Sequence, residues 1–382
     1  MGGLRRQSPG VAGAPLNASA TSERSVTLVL PGDPLTATGG YEYDRRMMEG
    51  LRNLGWNTQV VTLDDSFPFP TRNALLEAEQ KLAALPARSL VMVDGLALGA
   101  MPDVVHAHRD RLCMVGLVHH PLAAETGLSS ELATRLFESE RRALQAVRFA
   151  VVTSLATRRA LAAYGLEPGR IAVAEPGIDH PAVAGCGANF YDASLPVRML
   201  CVATITPRKG HELLLDALAG VGHLDWTLVC VGSLERSPAT VRALRMRIEI
   251  AGWEDRVELT GELDEAQLQQ QFRSAHLFVL ATHFEGYGMA VAQALAHGLP
   301  VVSTRTGAIA DLVPPGAGML VEPADEAALR AALSRVLSDP PLRRRLAEGA
   351  RVAGSKLPSW NDASQRLSEI LSRVMAHLDD DG

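Results

Sequence analysis

Short apolar segments alternate with amphipathic segments along nearly the whole chain of 382 residues. The pattern begins with SVTLVLP at residues 25–31. It continues with a segment that places Met47, Met48 and Leu51 on one helical face, and then with TQVVTL. Short apolar runs separated by amphipathic helices are typical of parallel sheets that helices cover on both faces. The sequence therefore predicts an α/β fold built from parallel strands.

The alternation stops once, at residues 175–196, and then resumes. This stretch, EPGIDHPAVAGCGANFYDASLP, is rich in Gly, Pro and small residues and has no apolar period, which is typical of a connection between domains. The chain is also too long for one ordinary hydrophobic core. We predict two doubly wound Rossmann-like domains that face a cleft, residues 25–180 and 197–358, with a linker at 181–196. Ligands of such folds bind beyond the carboxyl ends of the strands.

The two ends of the chain lie outside this pattern. Residues 1–24 carry Arg5 and Arg6 near their start, and no apolar core follows this pair, so we predict a disordered leader rather than a secretory signal. Residues 359–382 contain a further amphipathic helix and an acidic tail.

Composition and charge exclude several classes of protein. Apolar residues make up 47% of the chain and the formal net charge is −6, with no strongly basic half. This balance argues against a nucleic-acid partner and does not support contact with an acidic membrane surface. No apolar stretch reaches the roughly 18–20 residues of a transmembrane helix.

The four cysteines contain no C-x-x-C pair, and the sequence has no H-E-x-x-H or D-x-D motif. These features indicate a protein of the reducing cytoplasm and predict no bound metal. A dinucleotide-binding dehydrogenase is also disfavoured, because no G-x-G-x-x-G follows the first strand.

The segment HFEGYG is the first candidate site. Glu285 lies between a predicted strand, LFVLA, and a predicted helix that begins near Gly288. Gly286 and Gly288 allow the backbone to approach a ligand closely, and the first N–H groups of the helix form a site for phosphate. A carboxylate beside a phosphate site is useful if it binds hydroxyls of the same ligand. The alternative is that Glu285 only complements the helix dipole.

The segment TPRKG is the second candidate site. Arg208 and Lys209 lie between a predicted strand and a predicted helix, and Lys209 is one of only three lysines in the chain. A compact ammonium group is suited to a diphosphate. The alternative is a solvated basic turn.

The segment LVHHP is the third candidate site. His119 and His120 follow the predicted strand CMVGLV, and loops at strand ends often carry function. A capping role or a role in the core is the alternative.

Four segments, taken in order, resemble the motifs of one enzyme family. They are TPRKGHELLLDAL, VCVGS, VELTGEL and HFEGYGMAVAQALAHGLPVVSTRTGAIADLV, and they resemble the family 4 (group 1) retaining glycosyltransferases of GT-B fold. The resemblance extends over residues 25–375 and is most specific in the C-terminal half. It implies a nucleotide diphosphate sugar donor bound mainly by the C-terminal domain and an acceptor bound mainly by the N-terminal domain. It also implies transfer with retention of configuration, no metal or other cofactor, and a last helix that packs back on the N-terminal domain.

The resemblance implies roles for individual residues. Lys209, with Arg208 beside it, corresponds to the lysine that contacts the donor diphosphate. Glu285 corresponds to the first glutamate of a Glu-x7-Glu motif, which contacts the sugar. One of His119 and His120 corresponds to a histidine near the reacting centre. The other implied donor-binding residues are Gly286, Tyr287, Gly288 and Met289 in the loop, Gln293 at the second motif position, Glu262 near the base, and Gly39 and Gly40 in an N-terminal glycine loop.

The chain departs from the family pattern at three places. The second glutamate of the motif is Gln293, which keeps an acceptor and adds donors but loses the charge. The usual Gly-Arg after the first C-terminal strand is Ala203–Thr204, so a cation for the diphosphate is missing there and Arg208 is a candidate replacement. The family's GG-x-P-E motif corresponds to GAIAD at residues 307–311, so its glutamate is replaced by Asp311, whose side chain is one carbon shorter.

These observations predict a glycosyltransferase that moves a hexose from a nucleotide diphosphate sugar to a hydroxyl acceptor. The near-neutral N-terminal half favours a small soluble acceptor over a lipid. A sugar-nucleotide epimerase of the same fold is one alternative. A sugar-nucleotide-binding regulator that has lost activity is another, because of Gln293 and Thr204.

Overall fold

Two parallel six-stranded sheets, one in each half of the chain, carry the structure. The computed structural model describes residues 24–181 and 196–380, and of residues 377–380 it describes the backbone. Nearly all of the predicted leader and of the predicted linker therefore lies outside the described residues. Below, the N-terminal half is residues 24–181 and the C-terminal half is residues 196–358.

The strands of the N-terminal sheet are β1 (Ser25–Pro31), β2 (Asn57–Leu63), β3 (Leu90–Asp94), β4 (Cys113–Val118), β5 (Phe149–Val152) and β6 (Ile171–Val173). The strands of the C-terminal sheet are β7 (Val197–Val202), β8 (Trp226–Val231), β9 (Val257–Gly261), β10 (Leu277–Leu280), β11 (Val301–Thr304) and β12 (Gly318–Val321). Their spatial orders are β2-β1-β3-β4-β5-β6 and β12-β11-β10-β7-β8-β9. In the first sheet the direction of winding reverses between β1 and β3, and in the second between β7 and β10, which confirms the doubly wound prediction.

The helices of the N-terminal half are α1 (Gly39–Asn53), α2 (Arg72–Ala83), α3 (Gly95–Leu98), α4 (Pro102–His108), α5 (Ser130–Ala146) and α6 (Leu155–Ala160). Those that follow are α7 (His211–Ala219), α8 (Pro238–Ala251), α9 (Glu265–Ser274), α10 (Met289–Ala296), α11 (Ile309–Leu312), α12 (Glu326–Ser338), α13 (Pro340–Gly354) and α14 (Trp360–Asp380). Several begin at a side-chain cap. In α9, for example, Asp264 and Gln267 form a reciprocal capping box.

Each sheet is buried because helices cover both of its faces. In the C-terminal half, Trp226, Phe272 and Phe278 lie in one continuous apolar cluster with the strands and helices around them. The N-terminal sheet has a separate apolar cluster on each face. Full burial of one large aliphatic side chain stabilises the fold by about 1.5–3 kcal/mol, so these clusters hold the strand ends in fixed positions.

The chain crosses between the halves twice, and the two crossings lie side by side. Ile178 forms an isolated parallel bridge with Ser359, and its N–H donates to the carbonyl of Pro358 over 3.0 Å. The second crossing leads into α14, which packs on α1. A Cβ atom at Gly50 of α1 would lie only 1.8 Å from Oγ of Ser364, so the two helices approach closely.

Helix α14 therefore contributes to the core of the N-terminal half. Its inward residues join the apolar cluster on one face of the N-terminal sheet, and they are Ala363, Leu367, Ile370, Leu371 and Val374. Trp56 also donates a hydrogen bond from Nε1 to Oγ of Ser368 over 2.9 Å. Among residues 24–181 and 196–380, every helix is too short or too polar to be a transmembrane segment.

Candidate active site

A cleft of about 920 Å³ lies between the carboxyl ends of the two sheets. Its walls come from the loops that follow β1, β3 and β4 on one side and β7, β8 and β10 on the other. The points where the winding of both sheets reverses open onto this cleft. All of the residues that the sequence predicts for the site line it.

One largely buried ion pair of the cleft joins two of the candidate sites. Lys209, in the turn after β7, forms an ion pair from Nζ to Oε1 of Glu285, in the loop after β10. Their side chains are only 15% and 9% exposed, so each charge neutralises the other in a place with little water. The pair explains how both charges are accommodated beside the uncapped N-terminus of α10 when no ligand neutralises Lys209.

The loop after β10 is held in a conformation that leaves the end of α10 open. Gly288 has φ = 96° and precedes Met289, and no side chain caps this helix. The carbonyl oxygen of Glu285 accepts a hydrogen bond from Ala308 N over 3.2 Å. A Cβ at Gly307 would lie 1.8 Å from that same oxygen. The first N–H groups of α10 consequently remain available for an anion.

The same loop contacts the opposite wall of the cleft. A Cβ atom at Gly286 would lie 2.4 Å from the carbonyl oxygen of His119, so only glycine permits this approach. The corresponding position at Gly39 lies 3.5 Å from Sδ of Met289, and at Gly40 it lies 3.5 Å from the ring of His119. The glycine loop of α1 and the loop after β10 therefore face each other across the cleft.

Arg208 is linked to the N-terminal half through a residue that the sequence does not single out. Its Nε lies 3.0 Å from Oε1 of Glu125, and its guanidinium also donates to the carbonyl of Phe284 over 2.8 Å. Nε2 of His120 lies 3.6 Å from the other oxygen of Glu125. Burial alone raises the pKa of Glu125, but the hydrogen bond from His120 and the charge of Arg208 outweigh burial and lower it to about 2.

His119 is held between two carboxylates. Its Nε2 lies 3.3 Å from Oδ1 of Asp44 and 3.6 Å from Oδ2 of Asp94, and its ring packs edge-on against Tyr43. Burial lowers the pKa of His119, but the charges of Asp44 and Asp94 outweigh it and raise that pKa. Burial and the charge of Asp44 raise the pKa of Asp94 to about 7.

Three further predicted residues occupy different parts of the cleft. Gln293 donates a hydrogen bond from Nε2 to the carbonyl of Asp179, in the first crossing, over 2.8 Å. Tyr287 is buried, and burial raises the pKa of its hydroxyl. Glu262 is exposed at the rim. Among the departures from the family pattern, Asp311 forms a 2.6 Å ion pair with Arg159 of the opposite half.

The structure also brings Arg236, on the loop after β8, to the same cleft as Arg208 and Lys209. Arg236 lies in the segment VGSLERSP, and only its position after a strand suggests from the sequence that it belongs to the site. With Arg208 and Lys209 it is the third Lys or Arg side chain that the described part of the C-terminal half contributes to the cleft.

Two clusters in the described part of the chain bring potential metal ligands within 4.8 Å of one another. One is the set of Asp44, Asp94 and His119 in the cleft. The other is Cys201, His211 and Cys230, buried behind the Lys209 turn, where Sγ of Cys201 lies 3.6 Å from Nε2 of His211. The second cluster has one ligand fewer than a structural zinc site requires. The sequence places these two cysteines in the core but does not predict that they meet His211.

Two family models match the chain, one in each half. Residues 42–181 match Glycosyltransferase Family 4, and residues 196–339 match Glycosyl transferases group 1. The chain belongs to the family 4 (group 1) glycosyltransferases. The resemblance stated from the motifs is thus confirmed, and with it the assignment as an enzyme that transfers a sugar from a nucleotide sugar.

Curated relatives of this glycosyltransferase are similar over much of its length. A D-inositol 3-phosphate glycosyltransferase of Streptosporangium roseum is 27% identical over 307 residues, which are 72% of this chain and 70% of that protein. An MMP alpha-(1->4)-mannosyltransferase of Mycolicibacterium hassiacum is 25% identical over 84% of this chain and 79% of that protein. A second inositol 3-phosphate enzyme, from Thermomonospora curvata, is matched over 62% of its own length.

Solved structures share the fold of the glycosyltransferase. The sucrose-phosphate synthase of Thermosynechococcus elongatus superposes with a TM-score of 0.78 at 21% identity and covers 93% of this chain and 100% of that chain. HepE of Anabaena, solved in complex with UDP-glucose, gives a TM-score of 0.73 at 17% identity and covers 91% of this chain and 99% of that one.

Proposed function

We propose that this glycosyltransferase transfers a hexose from a uridine diphosphate sugar to a hydroxyl group of its acceptor, with retention of configuration and without a metal ion. The observation that carries the proposal is the buried Lys209–Glu285 pair beside the uncapped N-terminus of α10. It sets a cation, a carboxylate and free N–H groups at one point, which suits a sugar joined to a diphosphate. The choice of uridine is supported by the fold of HepE, which binds UDP-glucose.

The chemistry follows from where charge develops. When the bond between the sugar and the diphosphate breaks, negative charge grows on the leaving phosphate. The ammonium of Lys209 and the N–H groups at Met289 and Ala290 stabilise that charge, and such preorganised groups commonly supply the largest share of catalysis. Arg208 and Arg236 supply further positive charge in the cleft.

Donor binding changes the partners of the buried pair. As the diphosphate takes over Lys209, the carboxylate of Glu285 is released to accept hydrogen bonds from the sugar hydroxyls. The pair thus keeps both groups neutralised and oriented before the donor arrives. Preorganisation of this kind avoids the cost of reordering side chains during the reaction.

Retention of configuration places the acceptor on the same face of the sugar as the leaving diphosphate. A bond forms between the acceptor oxygen and the anomeric carbon, the bond to the phosphate oxygen breaks, and the acceptor proton goes to the diphosphate. We assign His119, fixed by Asp44 and Asp94, to positioning the sugar and the acceptor hydroxyl. We assign the N-terminal half to the acceptor and the C-terminal half to the donor.

The test is to incubate the full chain with UDP-glucose and candidate hydroxyl acceptors in excess EDTA. We expect UDP release that depends on the acceptor, together with a product whose anomeric configuration by NMR equals that of the donor. Restoration of lost activity by Mg²⁺ or Mn²⁺ would contradict the metal-free account and would point to the Asp44, Asp94 and His119 cluster. Epimerised donor would indicate an epimerase, and binding of UDP-glucose without turnover of any acceptor would indicate a regulator.

A further inference from the structure

Carboxylates dominate the N-terminal wall of the cleft. Among the described residues of the N-terminal half, six carboxylates line the cleft, and Arg45 is the single Lys or Arg that lines it. The carboxylates are Asp33, Glu42, Asp44, Asp65, Asp94 and Asp179. Glu42 is paired with Arg45 and Arg46, and Asp179 is paired with Arg46. Four carboxylates thus remain, and the described cationic group nearest to Asp44 and Asp94 is His119.

The topology of the N-terminal sheet brings three of these carboxylates together. β1 is followed by Asp33, β2 is followed by Asp65, and β3 ends at Asp94. Because these strands are neighbours in the order β2-β1-β3, their carboxyl ends present the three side chains along one edge. The negative charges at this edge of the sheet act on the hydroxyl group of Tyr41. Burial and the charges of Asp94, Asp44 and Asp33 together raise its pKa to about 12, against the opposing charge of Arg236.

An independent observation concerns Asp44, which lines the cleft from α1. Asp44 is only 2% exposed, yet neither oxygen of its carboxylate has a hydrogen-bond donor among the described residues. Nε2 of His119 lies 3.3 Å from Oδ1 of Asp44 as a charge contact, but among the described residues this contact does not meet the geometry of a hydrogen bond. A buried carboxylate normally accepts hydrogen bonds. Asp44 therefore has acceptor capacity that a ligand in the cleft is able to use.

We propose that the acceptor of this glycosyltransferase is a polyol that carries a protonated amine, and that Asp44 and Asp94 bind its ammonium group. The inference rests on the proposed function, because it takes the N-terminal wall as the acceptor side. An ammonium group offers three donors and a positive charge, which match the two oxygens of Asp44 that lack a hydrogen-bond donor among the described residues. Asp33 and Asp65, exposed at the mouth, attract the same charge. A phosphorylated acceptor is repelled by the ionised carboxylates of this wall, although several relatives are named D-inositol 3-phosphate glycosyltransferases.

The test compares polyols that differ in one group. Binding is measured by calorimetry on the full chain saturated with UDP, with myo-inositol, an inosamine and D-inositol 3-phosphate as one series. Glucose, glucosamine and glucose 6-phosphate form the second series. We expect at least one amine to bind about 10–100-fold more tightly than its neutral counterpart, as one charge-assisted hydrogen bond implies, and both phosphates to bind most weakly.

The proposal is overturned if either phosphate binds as tightly as the amine of its series. It is also overturned if neither amine binds more tightly than its neutral counterpart, including the case in which neither shows binding at millimolar concentration.

Two substitutions assign the effect to the wall. Asp44→Asn keeps the size of the side chain and removes its charge, and we expect it to abolish the preference for the amine. Asp65→Asn lies at the exposed mouth, so it tests the charge without disturbing the core, and we expect a several-fold loss that high salt also produces. The matched control is Asp64→Asn, because Asp64 does not line the cleft and accepts a hydrogen bond from Ser66 N. An equal loss in Asp64→Asn and Asp65→Asn would refute a direct role for Asp65.

Failure of this proposal is distinguishable from failure of the proposed function. Binding of UDP-glucose and its slow hydrolysis are measured without any acceptor. If the donor binds but the amines show no preference, only the acceptor class is wrong. If UDP-glucose does not bind, the proposed function itself is wrong.

Discussion

Lys209 and Glu285 are each other's partner in the absence of a ligand, and this pairing determines what their substitution does. Both side chains are nearly buried, so removal of one leaves the other as an uncompensated charge. Effects on stability and on catalysis must therefore be measured separately for either residue.

Lys209→Ala removes the cation that we assign to the leaving phosphate. We expect turnover to fall by a factor of about 10²–10³, which is typical for the loss of one group that stabilises transition-state charge. Circular dichroism and the thermal midpoint show whether the fold persists. The matched control is Lys356→Ala, because Lys356 is exposed and is not among the residues that line the cleft. A near-normal rate in Lys209→Ala would transfer the role to Arg208 or Arg236.

Glu285→Gln keeps the shape of the side chain but releases Lys209 from its ion pair. We expect UDP to bind as tightly as before or more tightly, because Lys209 no longer exchanges a carboxylate for the phosphate. Transfer of the sugar should fall by at least about tenfold, since a charge-assisted hydrogen bond to a sugar hydroxyl becomes a neutral one. Steady-state kinetics and calorimetry with UDP provide the two readouts. Weakened UDP binding with intact turnover would show that Glu285 only complements the helix end.

The loop from Glu285 to Met289 acts as one element because it fits against the opposite wall. Gly286→Ala tests this fit, since the added Cβ would lie 2.4 Å from the carbonyl oxygen of His119. We expect the two walls to separate and turnover to fall by about 10-fold or more, as misplacement by about 1 Å commonly costs, while the thermal midpoint changes little. Gly169→Ala is the control, because a Cβ there meets nothing within 4 Å. Equal turnover in both variants would contradict the closed contact.

Strands within clear apolar runs are predictable from the sequence, whereas the short edge strands β6 and β12 are not. SVTLVLP and CMVGLV predict β1 and β4 because burial on both faces demands uninterrupted apolar residues. β6 has three residues and β12 has four, and neither lies in an apolar run as long as LFVLA, which marks the equally short β10. They are strands because each completes the edge of a sheet that other segments build.

Some residues of the candidate site are predictable from local motifs, and others reach the site only through tertiary packing. Glu285 and Lys209 stand in loops with local motifs, so the sequence points to them directly. Asp44 lies inside the polar stretch YDRR of α1 and resembles a surface residue, although tertiary packing buries it. Glu125 becomes relevant only when the two sheets face each other and bring it to Arg208, which is distant in sequence. Contacts between the halves leave no local pattern in the sequence.

At the scale of the whole molecule, one buried carboxyl group couples stability to pH. Glu140 of α5 is 1% exposed, and Leu122 N donates to its Oε2 over 3.0 Å. Burial raises its pKa from 4.5 to about 7, against hydrogen bonds from Tyr164 and Leu122. The folded protein thus holds this proton more tightly than the unfolded chain. The stability that Glu140 contributes is present below about pH 4.5 and is lost as the pH rises through 7.

Glu140→Gln removes this titration. We expect the variant to gain stability relative to the natural protein as the pH rises from about 4.5 to above 7, by up to about 3 kcal/mol. The free energy of unfolding in urea is measured for both proteins at pH 5 and pH 8. A difference between them that is the same at both pH values would show that Glu140 does not titrate in this range.

The return of α14 to the N-terminal half has a consequence for the order in which the protein matures. A nascent chain emerges from the ribosome N-terminus first, and domains generally fold as units in that order. Residues 24–181 emerge early, but the apolar surface that Leu367, Ile370 and Leu371 cover stays open until α14 has been made. By then all of the C-terminal sheet has emerged and is able to fold. The first half to be synthesised is therefore the last to be completed. Each new molecule passes through a stage at which its C-terminal half is finished while its N-terminal half still exposes the apolar surface that α14 later covers.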